Sequence, residues 1–283
     1  MGQKVDVTEQ VKVFYEGNPF PGYDELDSPS ALKTKAQRGV FARLLDEQLP
    51  LQVRILDVGC GTGQLVNFLS IPYRRQVFGT DICRSSLKLG QQFSKAYSLR
   101  NASFLQMNLF QSAFEPESFY LVSCSGVLHH TADPKGGFFS LVDLVEKGGY
   151  FLVGLYNTWG RIPTDIRRVL FRLFGRSLQF LDPQLRRKDL SKEQKQVWFA
   201  DQYQHPHESK HTFGEVLDWF DEAGFDFVSS FPKATAFESF STDEKLFEIH
   251  ARGTWLDHFL VQAGMLLSGG KEGGFFLFLG QRR

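Results

Sequence analysis

From residue 53 onward the chain alternates short apolar runs with amphipathic stretches. The runs over 53–58, 76–81, 102–108, 119–124 and 149–155 have the length and β-branched or aromatic character of strands. The stretches over 62–70, 83–97 and 134–147 carry apolar residues at helical spacing. The strands read as nearly continuous apolar runs, as expected where both faces of a parallel sheet are covered. Asp133-Pro134 and Gly148-Gly149 mark turns between elements. Five strands joined by helical crossovers predict an α/β, doubly wound, mostly parallel sheet.

The rhythm breaks after residue 157. Residues 157–211 carry a basic helical stretch, a polar segment and a histidine-rich loop before Thr212 and Glu215 form a capping box. A helix over 213–223 then leads to a strand over 225–231, and 232–273 is a second insertion with a helix around 254–268. The run Phe275–Leu279 supplies a seventh strand. Ahead of the sheet, 31–48 reads as a helix and 5–25 as a partly helical lead with a turn at Asn18–Gly22. The predicted organisation is a lid and helix over 1–50, then one domain over 51–283 with helical cap insertions at 157–211 and 232–273.

Charge and cysteine content narrow the setting. Lys+Arg and Asp+Glu are both 32 in 283 residues, so no global field favours a polyanion, and a nucleic-acid partner is not expected. Cys60, Cys83 and Cys124 are scattered and odd in number, which suits a reducing cytoplasm better than a disulfide framework or zinc ribbon. The opening MGQKVDVTEQ lacks the regions of a signal peptide, and Asp6 stands where a myristoylation signal needs Ser or Thr. No apolar run approaches the ~20 residues that cross a bilayer. These features predict a soluble cytoplasmic protein.

The strongest chemical signal is Ile55–Leu65, ILDVGCGTGQL, a strand entering a glycine loop that opens a helix. Bare backbone there lets a ligand approach closely. Asp81, at the end of the next strand, stands where an acid accepts both hydroxyls of a ribose, so loop and acid define a nucleoside site. The spacing is Gly59-x-Gly61-x-Gly63, with Gln64 where a dinucleotide fingerprint has its third glycine, and no Gly-Lys-Ser/Thr follows to cradle phosphates.

The Asp57–Gly63 loop, Asp81 and the segment Ser125-Gly126-Val127-Leu128-His129-His130-Thr131 resemble class I S-adenosylmethionine-dependent methyltransferases, nearest to the small-molecule group of ubiquinone and menaquinone type. The resemblance is good over about 53–157 and looser over 212–231 and the last strand. It implies S-adenosylmethionine as cofactor and S-adenosylhomocysteine as product. It further implies that Gly59, Gly61 and Gly63 lie against the methionine part, Asp57 orients its ammonium and Asp81 holds the ribose. Ile82 would pack on adenine, Asn108 beside Leu109 would accept from its amino group, and Ser125-Gly126 would offer backbone. Asn108 stands where the family often has aspartate.

The acceptor is a small-molecule or lipid-like compound in this reading. His129, His130 and Tyr156 sit where the fourth and fifth strands end and are the candidate catalytic bases. The competing structural role has one histidine capping the next helix and the other packing on the sheet. Tyr203, His205 and His207 are candidate substrate-facing residues of a polar lid, and Tyr15, Phe20 and Tyr23 are candidates to close the pocket from the N-terminal side. The set His205, His207, His211 and Asp201 invites a metal, but it lacks cysteine partners and a helical HExxH frame, so no metal is expected. The stretch Asp165–Arg176 carries Ile166, Val169, Leu170 and Leu173 on one face and arginines towards the other. Packing of the apolar face on the domain is the expected arrangement, with peripheral membrane contact the most a bilayer would gain.

Two other functions compete. A nicotinamide oxidoreductase needs a different glycine spacing, and a non-catalytic binder of the same cofactor would keep the loop without turnover. The segment Ser-Gly-Val-Leu after the fourth strand is not the Asn/Asp-Pro-Pro-Tyr of enzymes that methylate nucleic-acid or glutamine nitrogens.

Overall fold

The computed structural model describes residues 6–23, 28–188, 190–267 and 273–283. Asp24 and Glu25, within the predicted lead, and residues 268–272 of the second insertion lie outside these. The elements run α1 (Val7–Gly17), α2 (Pro29–Gln37), α3 (Val40–Gln48), β1 (Arg54–Val58), α4 (Gln64–Ser70), β2 (Gln76–Asp81), α5 (Arg84–Ala96), β3 (Ala102–Gln106), β4 (Phe119–Ser125), α6 (Pro134–Val142), β5 (Val145–Tyr156), α7 (Ile162–Phe174), α8 (Lys192–Gln204), α9 (Phe213–Glu222), β6 (Phe225–Phe231), α10 (Trp255–Leu267) and β7 (Phe275–Arg282).

The seven strands form one sheet in the order β3-β2-β1-β4-β5-β7-β6. All pairings are parallel except those of β7 with β5 and β6. Period-two alternation sends Ile55, Leu121 and Leu152 to one face, under Leu44 and Leu45 of α3, Val66 and Phe68 of α4 and Phe93 of α5. Leu56, Val122 and Phe151 go to the other, under Phe138 of α6 and Phe213 and Phe220 of α9. Chain order reverses between β1 and β4. A doubly wound sheet opens a crevice there, beyond its strand ends.

Three boundaries differ from the periodicity. The helix expected over 31–48 is two helices, α2 and α3, broken at Arg38-Gly39, with Ser28 Oγ accepting from Ala31 N at 3.1 Å to start α2. The helix expected over 134–147 stops at Val142, because β5 begins at Val145 and pairs with Phe119 before a register shift. Gly148-Gly149 therefore lie inside β5 and do not precede it. Local capping was legible: Asp133 Oδ1 accepts from Gly136 N at 2.9 Å, and Thr212 with Glu215 closes a capping box on α9, each such cap worth about 1 kcal/mol. No described helix is long and apolar enough to cross a membrane.

Candidate active site

The loop between β1 and α4 is shaped by contacts with the rest of the chain. Gly61 has φ +55°, and a Cβ there would meet the Phe20 carbonyl oxygen at 2.3 Å. Gly63, at φ +74°, caps α4, and a Cβ would strike the Phe104 ring at 2.3 Å. Positive φ and this crowding exclude side chains at both positions. Gly63 accordingly packs loop against β3, whereas Gly59 and Gly61 line a cavity of about 510 Å³ beyond the ends of β1, β2 and β4. That volume lies within the range of small-molecule sites.

The N-terminal segment forms one wall of this cavity. Phe20 O accepts from Thr62 N at 3.3 Å, Pro21 O accepts from Thr62 Oγ1 at 2.5 Å, and Gly22 O accepts from Gln64 Nε2 at 2.6 Å. Glu16 of α1 takes the Arg84 and Ser85 amides at 2.6 and 3.1 Å, so it satisfies the first turn of α5, whose own N-cap, Cys83, offers no side-chain bond. Thr8, Val11, Tyr15, Phe20 and Pro21 thereby face the cavity. Tyr23, expected to join them, is turned away: its hydroxyl accepts from Asn67 Nδ2 at 2.8 Å and its ring packs on Phe93 at 5.0 Å.

Ile82, Asn108, Leu109, Ser125 and Gly126 line the cavity with Asp57 and Asp81. Burial pushes the Asp57 carboxyl up to about 7, with nearby Asp81 adding to it. Burial raises Asp81 too, although its two oxygens accept from Gly61 N and Cys83 N at 2.8 Å each. Asn108 Oδ1 holds Phe110 N at 3.1 Å, leaving a second lone pair for a ligand. No lysine or arginine is among the described lining residues. Two carboxyls, Asp57 buried and Asp81 half-buried, without a cation favour a ligand that brings positive charge and disfavour a pyrophosphate.

At the far end stand Tyr15, His130, Thr131, Tyr156, Asp201 and Phe275. Asp201 comes from α8, in the first insertion, where the sequence marks it only as an acid close to the histidines of a metal-like set. Its Oδ1 accepts from the Tyr15 hydroxyl at 2.9 Å, across 186 residues, and its Oδ2 accepts from Gln202 Nε2 at 2.8 Å. The same Gln202 nitrogen donates to the Tyr156 hydroxyl at 3.0 Å, and Arg161 Nη1 donates to Gln202 Oε1 at 2.7 Å. Arg161 is fully buried, lies 3.7 Å from the Tyr156 ring centroid and forks onto Glu208 at 2.6 and 2.9 Å. Arg168 reaches the same carboxylate, and these hydrogen bonds outweigh burial to hold Glu208 down at about 2.

The candidate bases separate in this geometry. His130 faces the cavity, and its Nδ1 lies 2.9 Å from the His207 carbonyl. A carbonyl only accepts, so Nδ1 carries the proton and Nε2 keeps its lone pair. Burial lowers His130 to about 4, which leaves it neutral at ordinary pH. His129 does not line the cavity; it is buried 4.4 Å from the Tyr156 ring, its Nδ1 without a partner among the described residues. The helix cap imagined for one histidine is made by Asp133 instead. Burial pushes Tyr156 up to about 12, so it enters the site as a phenol.

The expected lid residues mostly stand behind the wall. His205 stacks on His130 with centroids 3.7 Å apart, and His207 contributes its carbonyl to His130. Tyr203 packs on Phe171 at 4.6 Å and donates to Asp182. None of the three lines the cavity. His211 pairs with Ser209 and Glu215, and no group of three or more described His, Cys, Asp or Glu residues is arranged to hold a metal.

Comparison with known proteins agrees with this geometry. Residues 56–153 match the family model of the methyltransferase domain. Those residues, β1 to within β5, are a methyltransferase domain. It is 26 % identical over 250 residues to an uncharacterised protein of Synechococcus sp., covering 78 % of this chain and 60 % of that one. It is 31 % identical over 115 residues to the ubiquinone biosynthesis O-methyltransferase of Paracidovorax citrulli, covering 40 % of this chain and 48 % of that enzyme. The chain thus spans less than two thirds of either relative. Among solved structures, PKMT2 from Rickettsia typhi in complex with AdoHcy shares the fold, with a TM-score of 0.59 at 15 % identity over 83 % of this chain and 51 % of that one.

Proposed function

We propose that this protein is an S-adenosylmethionine-dependent methyltransferase whose acceptor is a small, largely apolar molecule carrying a hydroxyl or amine. The observation that carries the reading is the cavity over the glycine loop, with Asp57 buried, Asp81 half-buried and no basic side chain among its described lining residues. Asp57 would take the ammonium and Asp81 the ribose hydroxyls, while Ile82, Met107, Leu109 and Phe110 give an apolar wall for adenine. Asn108, through the lone pair that Phe110 leaves, would accept from the adenine amino group. When bound, the cofactor supplies a methyl group already activated by a positive sulfur.

The residues of this chain then need to hold the acceptor in line and exclude water. α1 and the Phe20-Pro21 turn cover the loop and serve the second purpose. His130 offers an unprotonated Nε2, and Asp201 offers carboxyl oxygens fixed by Tyr15 and Gln202, so either can take the proton of a hydroxyl nucleophile or of an ammonium that must become an amine before it attacks. Tyr156, kept protonated, orients the acceptor as a donor. Arg161 and Glu208 touch no lining space and position Tyr156 and Gln202 from behind.

Calorimetric titration of the full chain with S-adenosylmethionine, S-adenosylhomocysteine and NAD tests the donor. Binding of the first two without the third is expected; binding of NAD alone would overturn the assignment. Transfer of labelled methyl to a panel of phenols, quinols, amines and fatty acids tests turnover, with apolar phenols and quinols expected to lead. A chain that binds the cofactor and labels nothing would be a binding protein.

A further inference from the structure

Helix α7 is inside out. Ile162, Ile166, Val169 and Leu173 recur at i, i+4, i+7 and i+11, the spacing that ordinarily turns a helix face to the core. Here Ile166, Val169 and Leu173 are 57, 56 and 69 % exposed, and Phe174 beyond them is exposed as well. The inward face carries Thr164, Arg167 and Phe171 instead, with Arg168 bonded to Glu208 and to Gln202 O. The inversion has a local cause. Glu208 and the Gln202 carbonyl lie beneath α7 and take Arg168, and Arg167 is buried with its Nη2 on Thr164 Oγ1, so the aliphatic face is left outside. α10 repeats the pattern, with Leu256, Leu260 and Leu267 exposed at related spacing and Phe259 edge-on to Trp159, three residues before α7 begins.

The charge around α7 is as uneven as its faces. Between 161 and 195 there are ten Lys and Arg against four Asp and Glu, in a chain whose formal charge is zero. Arg172, Arg186, Lys188 and Lys192 of this segment are exposed. We infer that α7, its flanking basic segment and the outer stripe of α10 form a surface that docks on an anionic lipid bilayer. The apolar side chains would enter the headgroup boundary and the cations meet lipid phosphates. A second copy of the chain is disfavoured as occupant, since a two-fold contact would set the same basic segment against itself. The surface includes none of the cavity-lining residues, so it stands independently of the proposed reaction.

Flotation of the full chain with vesicles of phosphatidylcholine, alone or mixed with phosphatidylglycerol, tests this. The protein should rise with the mixed vesicles, bind the neutral ones at least about tenfold more weakly, and be released by salt. Ile166→Glu with Leu173→Glu should lower binding to mixed vesicles at least about tenfold. Because these side chains are exposed, thermal unfolding should be unchanged. Arg186→Glu with Lys188→Glu should lower binding in a way that salt no longer deepens, and it serves as a second test should the first pair perturb folding. No partition onto mixed vesicles, or wild-type binding by both variants, would overturn the inference. So would sedimentation showing a dimer that Ile166→Glu dissociates, which would make the face a self-association surface.

Discussion

The loop half of the site and the cap half are built by different means. The loop half is encoded locally: Gly59–Gly63 and Asp81 lie within about one βαβ unit, and Phe20 and Phe104 only close in on glycines whose positive φ the short motif already supplies. The cap half is assembled at long range. Tyr15 meets Asp201 across 186 residues, Arg161 meets Glu208 across 47, and Asn157 Nδ2 meets Gln262 Oε1 at 2.8 Å across 105. Short-range motifs tolerate little variation because steric limits on φ and Cβ are absolute. A buried polar network needs only that every donor find an acceptor, which many sequences satisfy. The first half therefore declares its ligand, and the second half has to be seen folded.

Perturbations should break the two halves apart. Arg161→Ala acts on the cap and is expected to be the most damaging to stability, about 3–5 kcal/mol in chemical denaturation, since it leaves Gln202 and Glu208 short of a buried partner. A loss below about 1 kcal/mol would mean that Arg168 alone satisfies the carboxylate. Asp81→Ala acts on the loop and should weaken S-adenosylmethionine about a hundredfold, ~2.7 kcal/mol by titration, with little change in folding. Unaltered affinity would remove Asp81 from the ribose position.

Asp201→Asn should divide the halves most clearly, leaving cofactor affinity intact while turnover falls about tenfold or more. His130→Ala is the companion: whichever variant loses more marks the proton acceptor, and two unimpaired variants would leave the acceptor to lose its proton unaided. The smallest effect expected is on pH dependence. His130 and His205 are lowered by burial to about 4 and 3, below the ~6.5 of an unfolded histidine. The unfolded chain then binds more protons, so stability should fall as pH drops from about 6.5 towards 4, measured as a declining thermal midpoint. If His130 is the base, the acid limb of turnover should lie near 4 and not near 6.5.

Much of the fold was legible because its cues are local. Strands β1, β2 and β6 fall within a residue of the apolar runs that predicted them, and Thr212 with Glu215 marked the start of α9. The errors fell where a neighbour overrode a local cue. Gly148-Gly149 signalled a turn, yet they lie inside β5, in the register shift between the Phe119–Val145 and Leu121–Tyr150 pairs. In the site, Tyr23 and Tyr203 were good candidates by position, but each found a packing partner elsewhere. Asp201 gave only the signal of an acid near histidines, and no spacing rule linked it to Tyr15.

The sequence by itself determined the loop half: strand, glycine loop and strand-end acid are encoded within 27 residues from Ile55 to Asp81, where steric constraint leaves few readings. Tertiary structure alone decided which face of α7 is buried. The apolar spacing of that helix pointed inward, but the carboxylate of Glu208 lay beneath it. Leaving a buried carboxylate without donors costs more than exposing four aliphatic side chains, so Arg168 turned in to join Arg161 on Glu208.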